Sequence, residues 1–149
     1  MRLLLLSEEF FGDQWFQGEI PENILQLSEA HSMAFCELYP IVMACVLWGS
    51  EWPRKRILFF CDNMSSVNII NKVRSKISLI MSLVRKLTWC SANNNFTLHA
   101  KHIPGVKNNI ADALSRFQMT KFRQLAPHAQ ENPNPCVPPH QLMMIWQVK

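Results

Sequence analysis

Three carboxylates hold the chemistry this chain can offer. Between Pro53 and Arg123 there are thirteen Lys or Arg and two acids, Asp62 and Asp112. A third acid, Glu37, interrupts the apolar stretch "MAFCELYPIVMACVLWG", 33–49. Carboxylate oxygens are the ligands Mg²⁺ prefers. Two such ions about 4 Å apart activate an attacking water and stabilise the leaving oxygen of a phosphodiester. A basic surface around them would hold a nucleic-acid backbone. Each acid also has a plainer reading. Asp62 or Asn63 caps the helix that follows it. Glu37 sits at the electropositive start of a helix and, if buried, needs a cation to meet it. Asp112 pairs with Arg116 one turn on. Metal chemistry requires the three to meet at one rim.

Their positions follow from the elements around them. The stretch 33–49 is apolar almost all round and ends at Gly49, so it reads as a buried helix. Pro40 is tolerated best in a first turn, which places the start of the regular helix near Cys36 and Glu37 at its N-terminal end. On that helix Glu37 shares a side with Ile41, Ala44 and Trp48. "ILFFC", 57–61, is a continuous apolar run and predicts a strand covered on both faces. Asp62 follows it directly, at the strand end where open α/β sheets gather ligands. A short helix, "VNIINKV", comes next. Residues 76–90 carry Ile77, Ile80, Val84 and Leu87 at helical spacing, with Ser78, Ser82, Arg85 and Lys86 off the stripe. "FTLHAKHI", 96–103, alternates as a strand does. The last helix, about 108–117, stacks Ile110, Leu114 and Phe117 and turns Asp112 away from them. Strand, acid and helix in this order define an α/β unit.

At the N-terminal end, "FFGDQWFQGEI", 10–20, suggests a strand or hairpin, and "PENILQLSEAH" a polar connection. After Gln118 the composition changes. Five prolines fall in "APHAQENPNPCVPPH", which predicts a linker or tail over 119–149 beside a domain over 1–118. A chain of 149 residues with 48% hydrophobic content fits one domain. Apolar runs fall short of the ~20 residues that span a bilayer, and "MRLLLL" is short for a signal peptide, so no membrane and an intracellular location, cytoplasm or nucleus, are expected. The cysteines, Cys36, Cys45, Cys61, Cys90 and Cys136, are odd in number, without C-x-x-C spacing, and four lie in apolar stretches. They read as small hydrophobes rather than a disulfide framework or zinc site. The first 52 residues hold eight acids and one base, so the basic character of the later segment points to a polyanionic partner. Lys72, Arg74, Lys76, Arg85 and Lys86 are the candidates to track phosphates.

The stretches "ELYPIVMACVLWG", "ILFFCDNMSSVNIIN", "KISLIMSLVRKL", "NFTLHAKHIPGVKNNIADALSRF" and "FRQLAP" run in the order found in a known family. The chain resembles the ribonuclease H domain of retroelement reverse transcriptases, particularly those of tyrosine-recombinase (DIRS-like) retrotransposons. The resemblance spans about residues 10–127 and rests on "HIPG…N.IADALSR" together with "CDN…V". It implies a mixed five-stranded sheet flanked by helices, and cleavage of the RNA strand of RNA–DNA hybrids with two Mg²⁺ or Mn²⁺. By resemblance Glu37 matches the helix acid, Asp62 the central-strand acid and Asp112 the last-helix acid. His102 stands near the place of a mobile histidine that shuttles protons or aids product release. Read from the residues alone, it is a strand-end histidine bonded to backbone. The partners implied are an RNA–DNA hybrid or other nucleic acid and, in a polyprotein, an upstream reverse transcriptase region.

The resemblance breaks at the first strand. There the family carries an Asp, and here "MRLLLLSEE" stands in its place with no matching acid. Asp13 falls in the second-strand segment. The expectation is a domain truncated at its first strand, with "RLLLL" filling the slot and cleavage impaired. The alternative is a catalytically inactive nucleic-acid-binding remnant of the same fold. A further alternative is a protein-interaction module that uses the Pro-rich tail in an extended polyproline form.

Overall fold

The structure, a computed structural model, describes residues 33–135 and, before them, residues 14–16, 20, 22 and 26. The expected "RLLLL" strand, most of the 10–20 hairpin, most of the 21–31 connection and Cys136 lie outside the described residues. The described elements run α1 (Met33–Trp48), a 3-10 turn (Gly49–Glu51), β1 (Arg56–Cys61), α2 (Met64–Lys72), α3 (Ser78–Asn94), β2 (Thr97–His102), a second 3-10 turn (Gly105–Lys107), α4 (Asn109–Ser115) and α5 (Met119–Leu125). The fold is mixed α/β. β1 and β2 pair in parallel, from Arg56 opposite Thr97 to Cys61 opposite His102. Parallel neighbours need a long crossover, and α2 with α3 supply it.

α1 is the core helix. Phe35, Leu38, Tyr39, Ile41, Val42 and Ala44 are buried on it, as is Glu37. It begins at Met33, not near Cys36, so Pro40 sits two turns in. Proline there removes one helical hydrogen bond, at a cost of about 3 kcal/mol or more. Burial of the surrounding apolar side chains outweighs that cost. With its 3-10 extension, Met33–Glu51 is also long and apolar enough to cross a bilayer by composition. Glu37 breaks the continuous apolar run within it. In the structure 67% of the apolar window is buried inside the protein.

β1 differs from the two-sided burial expected of it. Ile57, Phe59 and Cys61 are buried, whereas Leu58 and Phe60 are half-covered and Arg56 is exposed. Its buried face meets Trp52, whose ring stands edge-on to Phe59 and Phe96 at 6.4 and 5.1 Å between centroids. Gly49 permits the close approach at the end of α1: a Cβ there would lie 3.1 Å from Asn94 Nδ2 and 3.3 Å from Phe96 Cε1.

Residues 119–134, expected as linker, belong in part to the fold. Phe122 of α5 is fully buried and its ring centroid lies 4.9 Å from that of Trp15. Arg123 lies over Trp15 and donates to the carbonyls of Ala129, Gln130 and Glu131 at 3.0, 2.9 and 2.6 Å. Trp15 Nε1 donates to Gln130 O at 2.7 Å, and Asn134 N–H to Trp15 O at 2.7 Å. Composition registers the prolines but not one guanidinium holding three carbonyls. Arg123→Ala should therefore lower unfolding stability by about 2 kcal/mol in urea titration, the scale of one or two charge-assisted hydrogen bonds. Arg123→Lys should recover little, because an ammonium lacks the planar fork.

Candidate functional site

The site is built where β1 ends. Asn63, not Asp62, caps α2: its side chain accepts the Ser66 N–H at 3.1 Å. Asp62 is thereby released from capping. Its backbone N–H donates to Glu37 Oε1 at 3.1 Å, and Ser66 Oγ donates to Glu37 Oε2 at 3.4 Å. The Cys61 thiol also hydrogen-bonds to the Glu37 side chain. Burial, the Glu37 charge and that hydrogen bond, with Asp62 behind them, push the Cys61 thiol far above its ordinary value. Glu37 is 3% exposed. It lies in the second turn of α1, beyond the reach of helix-end electrostatics, which fade within the first turn.

The other candidates sit on the far strand and the segment after it. His102 is paired with Cys61 in the ladder and is exposed. Ile103 N–H donates to Cys61 O at 2.9 Å, extending the pairing past the strand ends. The chain then turns through Gly105, where a Cβ would stand 3.8 Å from Asp62 Oδ2, so this loop passes beside the Asp62 carboxylate. Asp112 lies in the first turn of α4. Its Oδ1 accepts Arg116 Nε at 3.1 Å, with both side chains substantially exposed, as the four-residue spacing predicts.

Glu37 and Asp62 are therefore brought together, with His102 on the neighbouring strand end. Asp112 turns to Arg116. Among the described residues no group of three His, Cys, Asp or Glu side chains is arranged to hold a metal ion. Asp112 is paired with Arg116 and is not drawn to Glu37 and Asp62, so the three carboxylates do not form one cage as they stand, and no metal step follows from them. Pattern reading missed Ser66 and Cys61. The signals were Ser66's place three residues after the Asn63 cap and the inward phase of Cys61 on β1.

The basic candidates fall in two groups. Lys72, Arg74 and Lys76 line one surface depression with Asn68, Ile69 and Ser75, in the connection between α2 and α3. Arg85 is half-buried on α3, and Lys86 Nζ lies 4.4 Å from the centre of the exposed Trp89 ring. Comparison with models of known protein families, with curated proteins and with solved structures gives no match for this chain.

Proposed function

We propose that the chain is a ribonuclease H-like domain of a retrotransposon polyprotein that binds an RNA–DNA hybrid or related nucleic acid and cleaves it weakly. The observation that carries this reading is the 3.1 Å bond from Asp62 N–H to Glu37 Oε1, across 25 residues of sequence. It joins two of the acids named by the resemblance at the carboxyl end of a parallel strand, the rim where α/β folds hold ligands. Support for binding comes from the depression that gathers Lys72, Arg74 and Lys76. Weak cleavage is consistent with the Asp112–Arg116 pair, which holds the last of the three acids away from Glu37 and Asp62. The ions implied by the resemblance remain Mg²⁺ or Mn²⁺, the partner an upstream reverse transcriptase region, and the location intracellular.

Anisotropy with a labelled hybrid tests the binding. Affinity should fall steeply between 50 and 200 mM salt, as counterion release requires. Replacing Lys72, Arg74 and Lys76 together by Ala should reduce the log–log salt slope by roughly 3, at about 0.9 per lost phosphate contact on duplex. Absent or salt-independent binding overturns the nucleic-acid reading. With Mg²⁺ or Mn²⁺ added, turnover should be slow and fall further in Asp62→Asn, and turnover no higher than that of Asp62→Asn overturns the cleavage half of the reading. Strong cleavage abolished by that variant overturns the weak-nuclease half and restores the metal site.

A further inference from the structure

α1 and α3 carry the same spacing on the sides that meet. Leu38, Val42, Cys45 and Gly49 follow one another at steps of four, three and four residues, and so do Leu83, Leu87, Cys90 and Asn94. All but Asn94 are buried. Such steps define the heptad seam of two helices packed side by side, in which residues of one layer face each other. Direction and register follow from the ends of the helices. Each runs out where a strand of the parallel pair is about to begin, and Arg54 N–H donates to Asn95 O at 2.6 Å between the two exits, so the helices point the same way. In the last layer a Cβ on Gly49 would stand 3.1 Å from Asn94 Nδ2. The layer one turn back is Cys45 and Cys90, which are 1% and 2% exposed. The two sulfurs also interact electrostatically: burial, then Cys90, raises the Cys45 thiol.

We infer that Cys45 and Cys90 form an oxidation site, at which a small uncharged hydroperoxide joins α1 to α3 through a disulfide. A disulfide spans only about 4.4–6.8 Å between Cα atoms. Gly49 draws the helices together one turn away, as so short a span requires. Cys36 is no rival partner for Cys45, since nine residues of helix set them about 13 Å apart along the axis. Burial selects the oxidant, because a molecule near the size of water enters a packed seam where a charged peptide disulfide does not. Cys90 reacts first. Lys86, one turn before it, opposes the upward push of burial and so favours its thiolate, the reactive form. The thiolate attacks one peroxide oxygen and the O–O bond breaks. Cys90 becomes a sulfenic acid, and the departing hydroxide takes up the proton Cys90 released, giving water. The Cys45 sulfur then attacks the Cys90 sulfur, the S–O bond breaks, and hydroxide leaves with the Cys45 proton as a second water. The two thiols lose two electrons and the peroxide gains them.

The full chain, reduced and then freed of reductant, is treated with hydrogen peroxide at neutral pH and quenched with catalase. It is then unfolded in urea with N-ethylmaleimide, digested and mapped by mass spectrometry without reduction. The expected product is a pair of peptides joined through Cys45 and Cys90, lighter by two hydrogens than its parts. The oxidised chain should melt about 10 °C higher than the reduced one, the scale for closing a loop of this length. Dithiothreitol added to the unfolded chain should separate the peptides. Cys45→Ala and Cys90→Ala should each lose both the joined pair and the rise in melting temperature, and the mapping decides on the parent chain alone should either variant fail to fold. Recovery of both cysteines as N-ethylmaleimide adducts overturns the inference. So does either cysteine joined to a different one, or Cys90 carried to sulfinic acid with Cys45 still free. A joined pair that forms only when peroxide is added in urea, or that lowers the melting temperature, overturns it as well, because the sulfurs then do not face each other in the folded chain.

Discussion

Glu37→Ala should lower unfolding stability by about 3 kcal/mol, measured by urea titration at neutral pH. Two effects oppose each other. Removing a buried carboxylate relieves the desolvation of a charge, which favours the variant. It also strands three donors, the Asp62 N–H, the Ser66 hydroxyl and the Cys61 thiol, in a site with little access to water. Each stranded donor costs roughly 1–3 kcal/mol, and the truncated side chain leaves a void within α1. The losses exceed the relief because one group serves all three donors. Glu37→Gln tests this account. It keeps the volume and one acceptor oxygen, so it should lose only about 1 kcal/mol. The same bonds tie α1 to the turn between β1 and α2, so the alanine variant should also loosen the backbone that carries Asp62. Faster amide exchange at Asp62 and Ser66 would register that. A neutral Glu37→Ala, with Asp62 protection unchanged, defeats the role assigned to Glu37.

Local pattern carried much of the fold, and failures came where a side chain's partner is distant. On α3, Ile80, Val84 and Leu87 are buried as their spacing predicts. Ser82, assigned to the polar side, is buried too, because its hydroxyl donates to Leu79 O in its own helix. A satisfied serine behaves as a small core residue. Phe117, expected in the last helix's apolar stripe, is 50% exposed. α4 ends at Ser115, and Phe117 turns into the left-handed region with φ 57°. The Asp112–Arg116 pair was legible because four-residue spacing is a local property. The Glu37–Asp62 link was foreseeable only as a meeting place. That the meeting is between a carboxylate and a backbone N–H, with Ser66 and Cys61 completing it, depends on how α1 crosses the end of β1. No local signal encodes that crossing. The C-terminal segment failed for the same reason. Its prolines mark turns, whereas Arg123 and Trp15 decide that the turns are docked.

Raising the pH from 7.5 to 10.5 should destabilise the protein by several kcal/mol, largely through two buried thiols. Burial, then the nearby Cys90, raises the Cys45 thiol well above its ordinary value. Burial, then Glu37 and Asp62, raises Cys61. Both shifts are upward, so both thiols stay protonated in the folded chain over this range. An unfolded cysteine titrates near pH 8.5. Below that value each state holds the proton and stability is unaffected. Above it the unfolded state releases a proton that the folded state retains, and stability falls by about 1.4 kcal/mol per pH unit for each thiol. Over about two pH units the pair withdraws roughly 5 kcal/mol, a large part of the ~5–15 kcal/mol that stabilises a typical domain. Urea midpoints across the range give the slope for the whole chain, to which the Cys90 thiol, also raised by burial, contributes. The double variant Cys45→Ala, Cys61→Ala isolates the thiols, since alanine fits a core and carries no proton. It should start less stable at neutral pH and lose stability with pH at a slope smaller by about 2.7 kcal/mol per unit. An unchanged slope would mean that these thiols ionise as readily in the folded chain as in the unfolded one. Alkylation gives an independent reading. Because the thiolate is the reactive form, Cys45 and Cys61 should stay unlabelled by iodoacetamide at pH 8.5 and become labelled once urea unfolds the chain.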